Sequence, residues 1–504
     1  MVDESQNLTV GAEIEKVFSD IKIGESHAVG SAYFNNLLTL KEKRGEESHL
    51  KTIGDISVGV STPHGEEGLD NGFNLGESAT GPFTQQEGGL AALHDILVNE
   101  LSDVQTALSQ EGATIINMSN HPLVHITQEL YTKLRAPKPL YNLLIERGWA
   151  HWEGIDAKAQ NSPSTGVTVY NAVDALNVIL AVSPALIALY ANSPFEQGRV
   201  TGYQESRLTM WDKVFGPSSS RGDFKLCQAP ERPFINLRDY FEWMFGSGTN
   251  MYFVPFSREE GDYKKFSEMT LINGSPSLLE FLQQQSWGGK IFGTRANVEV
   301  VPTMSHVELH QWTQFIGARI RYKFNDAIPT VQEFLEALSG SGDEVEQFFS
   351  RHAQFTYIEG REAGANFPDQ QLIESTGDTT IARSVVISPS AIQYGLIRNL
   401  KESKELLEKY QWGDLSRLRG EAIANGLAAE WNGLHVREFA AEVLDIASRG
   451  LDEKEHWMLA YPKYVLSSGK NGSDRALEIF EACTDGSTEE KIRHTILARG
   501  ALFA

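Results

Sequence analysis

The sequence predicts an α+β protein, and three observations carry that reading. Short strand-like runs, Val10 to Phe18, Thr114 to Met118, Met251 to Phe256 and Val298 to Val301, lie among helical stretches without a regular βαβ rhythm. Leu90 to Gln110 has helical spacing, and Ala172 to Ala191 is apolar on most sides, which reads as one long buried helix. From about Ala391 onward the pattern is almost wholly helical, as in Arg437 to Arg449 with Phe439, Val443, Leu444 and Ile446 at core spacing.

A chain of 504 residues has room for two to four folding units or one large enzyme domain. The boundaries expected here are 1–400 for a catalytic domain with loop insertions and 401–504 for a helical region packed on it. The net charge of −23, with an isoelectric point near 5.0, is the wrong sign for a phosphate backbone, so no nucleic-acid partner is expected. No apolar run approaches the roughly 18 residues that span a bilayer, so no membrane association is expected. The acidic start, Met1 to Ser5, does not read as a secretory signal, and a cytoplasmic location is expected. The two cysteines, Cys227 and Cys483, are too few for a disulfide framework and sit in no metal-spaced cluster.

Glycine-rich and polar stretches interrupt the chain at about 60–89, 215–232, 339–344 and 362–380. They read as surface loops or flaps over a site.

Several short patterns could carry chemistry. In Val10-Gly11-Ala12-Glu13-Ile14-Glu15, residues i and i+2 of a strand share a face. Glu13 and Glu15 then stand roughly 7 Å apart. Carboxylates that close repel unless a cation lies between them, and hard oxygen ligands suit Mg²⁺ or Mn²⁺; the other reading is a solvated edge strand. Asp70 and Glu77 add carboxylates among glycines. Gln160, before the apolar helix, could hydrogen-bond a ligand or sit in a turn. Arg207 is a candidate clamp for a carboxylate, because a guanidinium forks onto it with two parallel bonds; a surface ion pair is the alternative. Arg319-Ile320-Arg321 and Glu359-Gly360-Arg361 could aim charge at a transferring phosphoryl group. No P-loop and no GxGxxG after a strand is present.

Two blocks are more specific. Val10 to Glu15 resembles an opening Gly-x-Glu-x-Glu strand. Ala191-Asn192-Ser193-Pro194-Phe195, with Thr201-Gly202 and Ser206-Arg207 before Trp211, resembles the most recognisable block of the glutamate–cysteine ligase family, of the plant and proteobacterial sort related to carboxylate–amine ligases. Gly426-Leu427 and Ile446 to Leu451 resemble its C-terminal helices. The resemblance runs with gaps from about residue 8 to about residue 460.

The resemblance implies a glutamine synthetase-like curved antiparallel sheet with surrounding helices and a C-terminal helical region. It implies that ATP phosphorylates the γ-carboxyl of glutamate and that the amine of cysteine attacks the acyl phosphate, the first step of glutathione biosynthesis. By position it implies metal ligands Glu13, Glu15, Glu77 and Glu359, substrate contacts from Gln160 and Arg207, and catalytic roles for Arg207 and Arg319. Mg²⁺ or Mn²⁺ and ATP follow, in a monomer or homodimer. Leu140 stands where the family usually has arginine, and Asn325 near an expected metal glutamate. These departures motivate one rival reading, a non-catalytic member of the fold; a ligase for another amine, since nothing fixes a cysteine pocket, and a metal-dependent hydrolase that runs without ATP are the others.

Overall fold

The computed structural model describes residues 8–217, 221–251, 254–255 and 269–503. The acidic start, residues 218–220 of the second polar break, and residues 252–253 and 256 of the strand expected from Met251 to Phe256 lie outside the described residues. An antiparallel sheet of nine strands organises the rest. In chain order they are β1 (Val10–Asp20), β2 (His49–Ile53), β3 (Ile56–Thr62), β4 (Gly65–Leu69), β5 (Leu75–Phe83), β6 (Ala113–Ile116), β7 (Asn161–Gly166), β8 (Ala318–Phe324) and β9 (Ala353–Gly360). Their spatial order is β8–β9–β7–β1–β5–β4–β3–β2, and β6 pairs with the far end of β1.

The two faces of this sheet are chemically different because side chains alternate along each strand. On one face, Lys16 of β1 pairs with Glu67 of β4 at 2.5 Å, both side chains fully buried, and Ser78 of β5 joins them. Tyr33, on helix α1 (Ser31–Lys43), donates its hydroxyl to Glu67 at 3.2 Å. The helix α2 (Gly89–Gln110) buries Leu90, Leu93, Leu97, Leu101 and Leu108, the i, i+3, i+4 stripe its sequence predicts. On the same side of β7 and β9, Gln393 donates to the carbonyls of Pro163 and Ile358 at 3.1 and 3.0 Å. The opposite face carries Glu13, Glu15, Glu77, Arg319, Arg321 and Glu359.

Three expectations need correction. The glycine-rich stretch 60–89 is not chiefly a flap: most of it is β3, β4 and β5, inside the sheet. Its glycines meet a packing demand, since a Cβ on Gly76 falls 2.5 Å from the ring of Phe18. The stretch Ala172 to Ala191 is two helices, α3 (Ala172–Ala181) and α4 (Ser183–Tyr190), bent by 49°. Pro184 lacks the N–H that would continue the first helix, so the second starts around it. The polar break at 362–380 is largely interior: Ala363, Ala365, Asn366 and Phe367 are buried, a helix spans Gln370–Thr376, and α5 (Thr379–Arg398) follows at once.

Val254–Pro255, Met269–Ile272, Trp287–Ile291 and Asn297–Val300 form a small antiparallel sheet apart from the main one. Toward the C-terminus come α6 (Trp412–Asn425) and α7 (Val436–Gly450); a large cluster of buried apolar side chains runs from Leu8 to Ala501, and a smaller one joins Ile187 and Ala188 of α4 to Leu418, Ala422 and Ile423 of α6. Among the described residues no single helix is long and apolar enough to cross a membrane; the bent pair around α3 and α4 passes by length and composition, but most residues of α3 and all of α4 are buried.

α5 and α7 cross where two glycines meet. A Cβ on Gly450 lies 1.9 Å from the carbonyl oxygen of Gly395, and one on Gly395 lies 2.2 Å from that of Ala447. Neither obstacle is a flexible side chain, so the helices themselves have to separate. Gly450→Ala is expected to cost about 3 kcal/mol through this overpacking, read as a lower urea midpoint at unchanged slope.

Candidate functional site

A cavity opens on the charged face of the sheet, lined by Glu13, Glu15, Asp70, Glu77, Gln160, Arg207, Arg319, Arg321 and Arg361. Every candidate site residue from the sequence lines it except Glu359, which lies beneath, paired to its arginines. Register explains the convergence. Glu15 of β1 stands opposite Glu77 of β5, and Glu13 is two residues along the same face. Arg319 of β8 stands opposite Glu359 of β9, and Arg321 is two residues further. Carboxylates therefore line one side of the cavity floor and guanidiniums the other.

The acidic side is crowded. Burial lifts Glu13 from its ordinary value to about 7, helped by the fields of Glu359 and Glu77 against the opposing pull of Arg321 and Arg319. Burial also pushes Glu15 well above the usual range, with Asp70 and Glu77 adding to it. One Glu15 oxygen accepts from the backbone N–H of Gln160 at 2.9 Å. Oxygen donors of this type and charge suit a hard divalent ion. Among the described residues, however, no group of three or more His, Cys, Asp or Glu side chains is arranged to hold a metal ion.

Glu359, expected from the resemblance as a metal ligand, is paired with arginines in this structure. Its two oxygens accept from Arg319 at 2.7 Å, Arg321 at 2.7 Å and Arg361 at 2.9 Å. Burial alone would raise it, but the three guanidiniums overcome that and hold it well below the ordinary carboxylate range. It gathers the three guanidiniums, with Oε1 taking Arg319 and Arg361 and Oε2 taking Arg321. Burial, with the charge of Arg321 beside it, lowers Arg319 to about 10. Arg321 spends Nε on Glu359 and Nη1 on the carbonyl of Gln311, and its guanidinium lies 3.7 Å from the ring centre of Trp312. Its Nη2 is buried and has no hydrogen-bond partner among the described residues. An orphan donor of that kind is a demand for an acceptor from elsewhere.

Arg207 is held from behind. Its Nε donates to Glu205 at 2.8 Å, Nη1 to the side chain of Gln160 at 3.3 Å and Nη2 to the carbonyl of Glu362 at 3.1 Å. The other oxygen of Glu205 accepts from the backbone of Asn192 at 2.6 Å, and Ser193 accepts from the Arg207 backbone at 3.1 Å. Asn192 bonds in turn to Asn117, to the carbonyl of Ala365 and to Arg499. The conspicuous string from Ala191 to Phe195 is thus a buried knot that fixes the backbone around Arg207.

Some lining residues escape the sequence reading. Lys138 donates to the carbonyls of Leu69 and Asp70 at 2.7 Å each, and Tyr141 to that of Asp70 at 2.6 Å. Burial lowers His151 to about 3, with Lys138 and Arg135 adding to it, so the ring is neutral. Trp149, Trp211, Trp312 and Phe315 form an aromatic wall. Trp211 closes the block already singled out in the sequence; the others sit on short helices and loops, where no period or spacing marks them.

The crowding of Glu13 has a consequence for stability. An unfolded glutamate titrates near 4.5 and the folded one near 7. Below 4.5 both states hold the proton. Between 4.5 and 7 the unfolded chain releases a proton that the folded chain keeps, so stability falls, and the fall levels off above 7. A shift of this size corresponds to on the order of 3 kcal/mol. Glu13→Gln is expected to flatten the fall, read by denaturation at pH 5 and pH 8 without divalent ions; an equal fall in both proteins would remove Glu13 from the crowded cluster.

Comparison with known proteins bears on the same region. Among curated proteins, no sequence matches. Several solved structures are similar, among them two at low identity. One is glutamate–cysteine ligase from Francisella tularensis in complex with AMP, at 12% identity, covering 97% of this chain and 87% of that one, with a TM-score of 0.49. The other is a bifunctional glutathione synthetase from Pasteurella multocida, at 11% identity, covering 98% of this chain and 52% of that one, with a TM-score of 0.42. The family model of glutamate–cysteine ligase family 2 matches residues 41–222, a span that holds Glu77, Gln160, the Ala191 to Phe195 block and Arg207. Over that span the likeness to the glutamate–cysteine ligase family, read first from a few short motifs, is found by the family model as well.

Proposed function

We propose that this chain is an ATP-dependent ligase that joins the γ-carboxyl of glutamate to the amine of cysteine. The observation that carries the reading is the division of one sheet face into a carboxylate side and a guanidinium side that open on a single cavity. From β8 to β1 is three strand spacings, roughly 14 Å. A triphosphate with an amino acid against its end fits that span, and the reaction needs both kinds of charge. The fold reading that goes with it is a glutamine synthetase-like curved sheet carrying substrates on this face. The catalytic part is read as 1–400, with 401–504 packed on it.

Each residue has a task that follows from its chemistry. Arg207, locked by Glu205, presents its remaining N–H edge to the glutamate carboxylate, and Gln160 beside it adds a neutral contact. Arg321, with its orphan Nη2, and Arg361 and Arg319 accept the phosphoryl group as its negative charge spreads. Glu359 keeps the three guanidiniums together against their mutual repulsion. The aromatic wall keeps water from an acyl phosphate. Glu13, Glu15 and Glu77 are the residues that would hold Mg²⁺ or Mn²⁺, an ion commonly bound by one or two carboxylates plus substrate phosphates. Such an ion, when bound, neutralises phosphate charge and orients the transfer.

In the overall reaction the γ-carboxylate oxygen bonds to the terminal phosphorus of ATP and ADP leaves. The amine nitrogen then bonds to the carbonyl carbon, phosphate leaves, and the amine loses a proton.

The test is phosphate release from ATP with Mg²⁺ and glutamate, with and without cysteine and a panel of other amines. Cysteine-dependent release is expected, with γ-glutamylcysteine as product. Release independent of any amine, or none under all conditions, overturns the reading. Glu13→Gln is expected to lower kcat by about 100-fold or more. Arg207→Lys is expected to raise the KM for glutamate about tenfold or more, since a lysine cannot fork onto a carboxylate.

A further inference from the structure

Gln393, on α5 behind the sheet, reaches two strands at once. Its Nε2 donates to the carbonyl oxygen of Pro163 at 3.1 Å and the hydroxyl oxygen of Thr165 at 3.2 Å on β7, and to the carbonyl oxygen of Ile358 at 3.0 Å on β9. All four residues are buried. The bridge stands where the ladder between the two strands breaks. Tyr357 faces Gly166, Ile358 faces Thr165 and Glu359 faces Ser164, and the ladder stops there. The chains meet again where Asn161 donates its backbone N–H to Ala363 at 3.0 Å and Gln160 faces Gly364. Ser164 to Gln160 is four positions and Glu359 to Gly364 is five, so the β9 side carries one extra residue, a bulge. Pro163, which has no N–H, lies across from it. A Cβ on Gly360 falls 2.4 Å from Gln393 Oε1 and 3.2 Å from the Pro163 ring, so glycine leaves the space that the amide fills. Oε1 is buried and meets no donor among the described residues, which costs stability. What the side chain contributes is its donor end.

The bulge carries two groups of the charged cavity. Arg361 lines it and donates to Glu359 at 2.9 Å, and the backbone carbonyl of Glu362 accepts from Arg207 at 3.1 Å. We propose that Gln393 is a positioning residue: its amide holds the bulge in the one shape that sets Arg361 on Glu359 and the Glu362 carbonyl on Arg207 together. It thereby fixes the distance between the guanidinium cluster and the clamp of Arg207 and Gln160. What those two groups hold rests on the ligase reading above; the brace itself rests on the hydrogen bonds alone. Gln393 touches no substrate and acts through the backbone from the opposite face of the sheet.

The experiment uses Gln393→Met in the full chain, which keeps the length of the side chain and removes the donor. Phosphate release is measured well below the variant's thermal midpoint, so that the folded protein is compared. kcat is expected to fall about tenfold or more, because the two ends of the reaction are misplaced. The KM values for ATP and glutamate are expected to stay within about twofold, since each clamp remains whole. Leu444→Ala, which opens a cavity under α7 instead, controls for lost stability and is expected to leave kcat unchanged. Thr165→Val removes one acceptor of the bridge and is expected to add nothing in the Gln393→Met background. Unchanged kcat in Gln393→Met, a matching fall in Leu444→Ala, KM values that move with kcat, or additive effects of the two bridge variants overturn the positioning role. Hydrogen exchange separates this idea from the ligase reading. The amides of Asn161 and Arg361, which bond at the two sides of the bulge, are expected to exchange faster in Gln393→Met. If the wild type shows no amine-dependent phosphate release, the ligase reading falls, and exchange decides the brace: faster exchange at those two amides keeps it, and unchanged exchange overturns it.

Discussion

Three guanidiniums gathered on one buried carboxylate hold this site together. Arg319, Arg321 and Arg361 would repel one another on the cavity floor without Glu359 among them. Two of them belong to β8 and the third directly follows β9, which carries Glu359, so the cluster also locks the register at the edge of the sheet. A buried ion pair is weak evidence for stability, because desolvation offsets most of the attraction. Its value here is positional. It supplies positive charge at one end of a sheet face whose other end carries Glu13, Glu15 and Glu77.

The same alternation that builds the charged face builds the core behind it. Glu13 and Glu15 face the cavity while Ile14 and Lys16 face the helices, and Lys16 avoids an unpaired burial only because Glu67 and Ser78 meet it. Glycines in β3, β4 and β5 allow neighbouring backbones and rings to close on this region. The strands are therefore specified by where side chains are absent as much as by where they are present.

Around Arg207 the structure invests in orientation. A charged side chain with one fixed edge and one free edge can select among anions; a mobile one attracts them all. The knot from Ala191 to Phe195, through Glu205 and Asn192, provides that fixed edge and ties it to Arg499 near the end of the chain. Residues more than 290 positions apart thus hold one guanidinium, which is why the block is so particular in sequence and so featureless in local pattern.

The sequence by itself determined the α+β class, the strand under Glu13 and Glu15, and the helices near Leu90 to Gln110 and Arg437 to Arg449, and it singled out Arg207, which lines the cavity. These rest on local rules: period two, period 3.6, and a motif whose residues are neighbours. It misread the glycine-rich run at 60–89, because glycine signals a turn by propensity and a close strand approach only by what lies opposite. It joined α3 to α4, because apolar composition does not show how the chain bends at Pro184. That three arginines meet on Glu359 was not legible, because only the pairing of β8 with β9 brings them onto that carboxylate. Strand order, the union of both charge strips in one cavity, and the bulge that Gln393 fills were decided by tertiary structure alone, since each depends on distances between segments that no local pattern encodes.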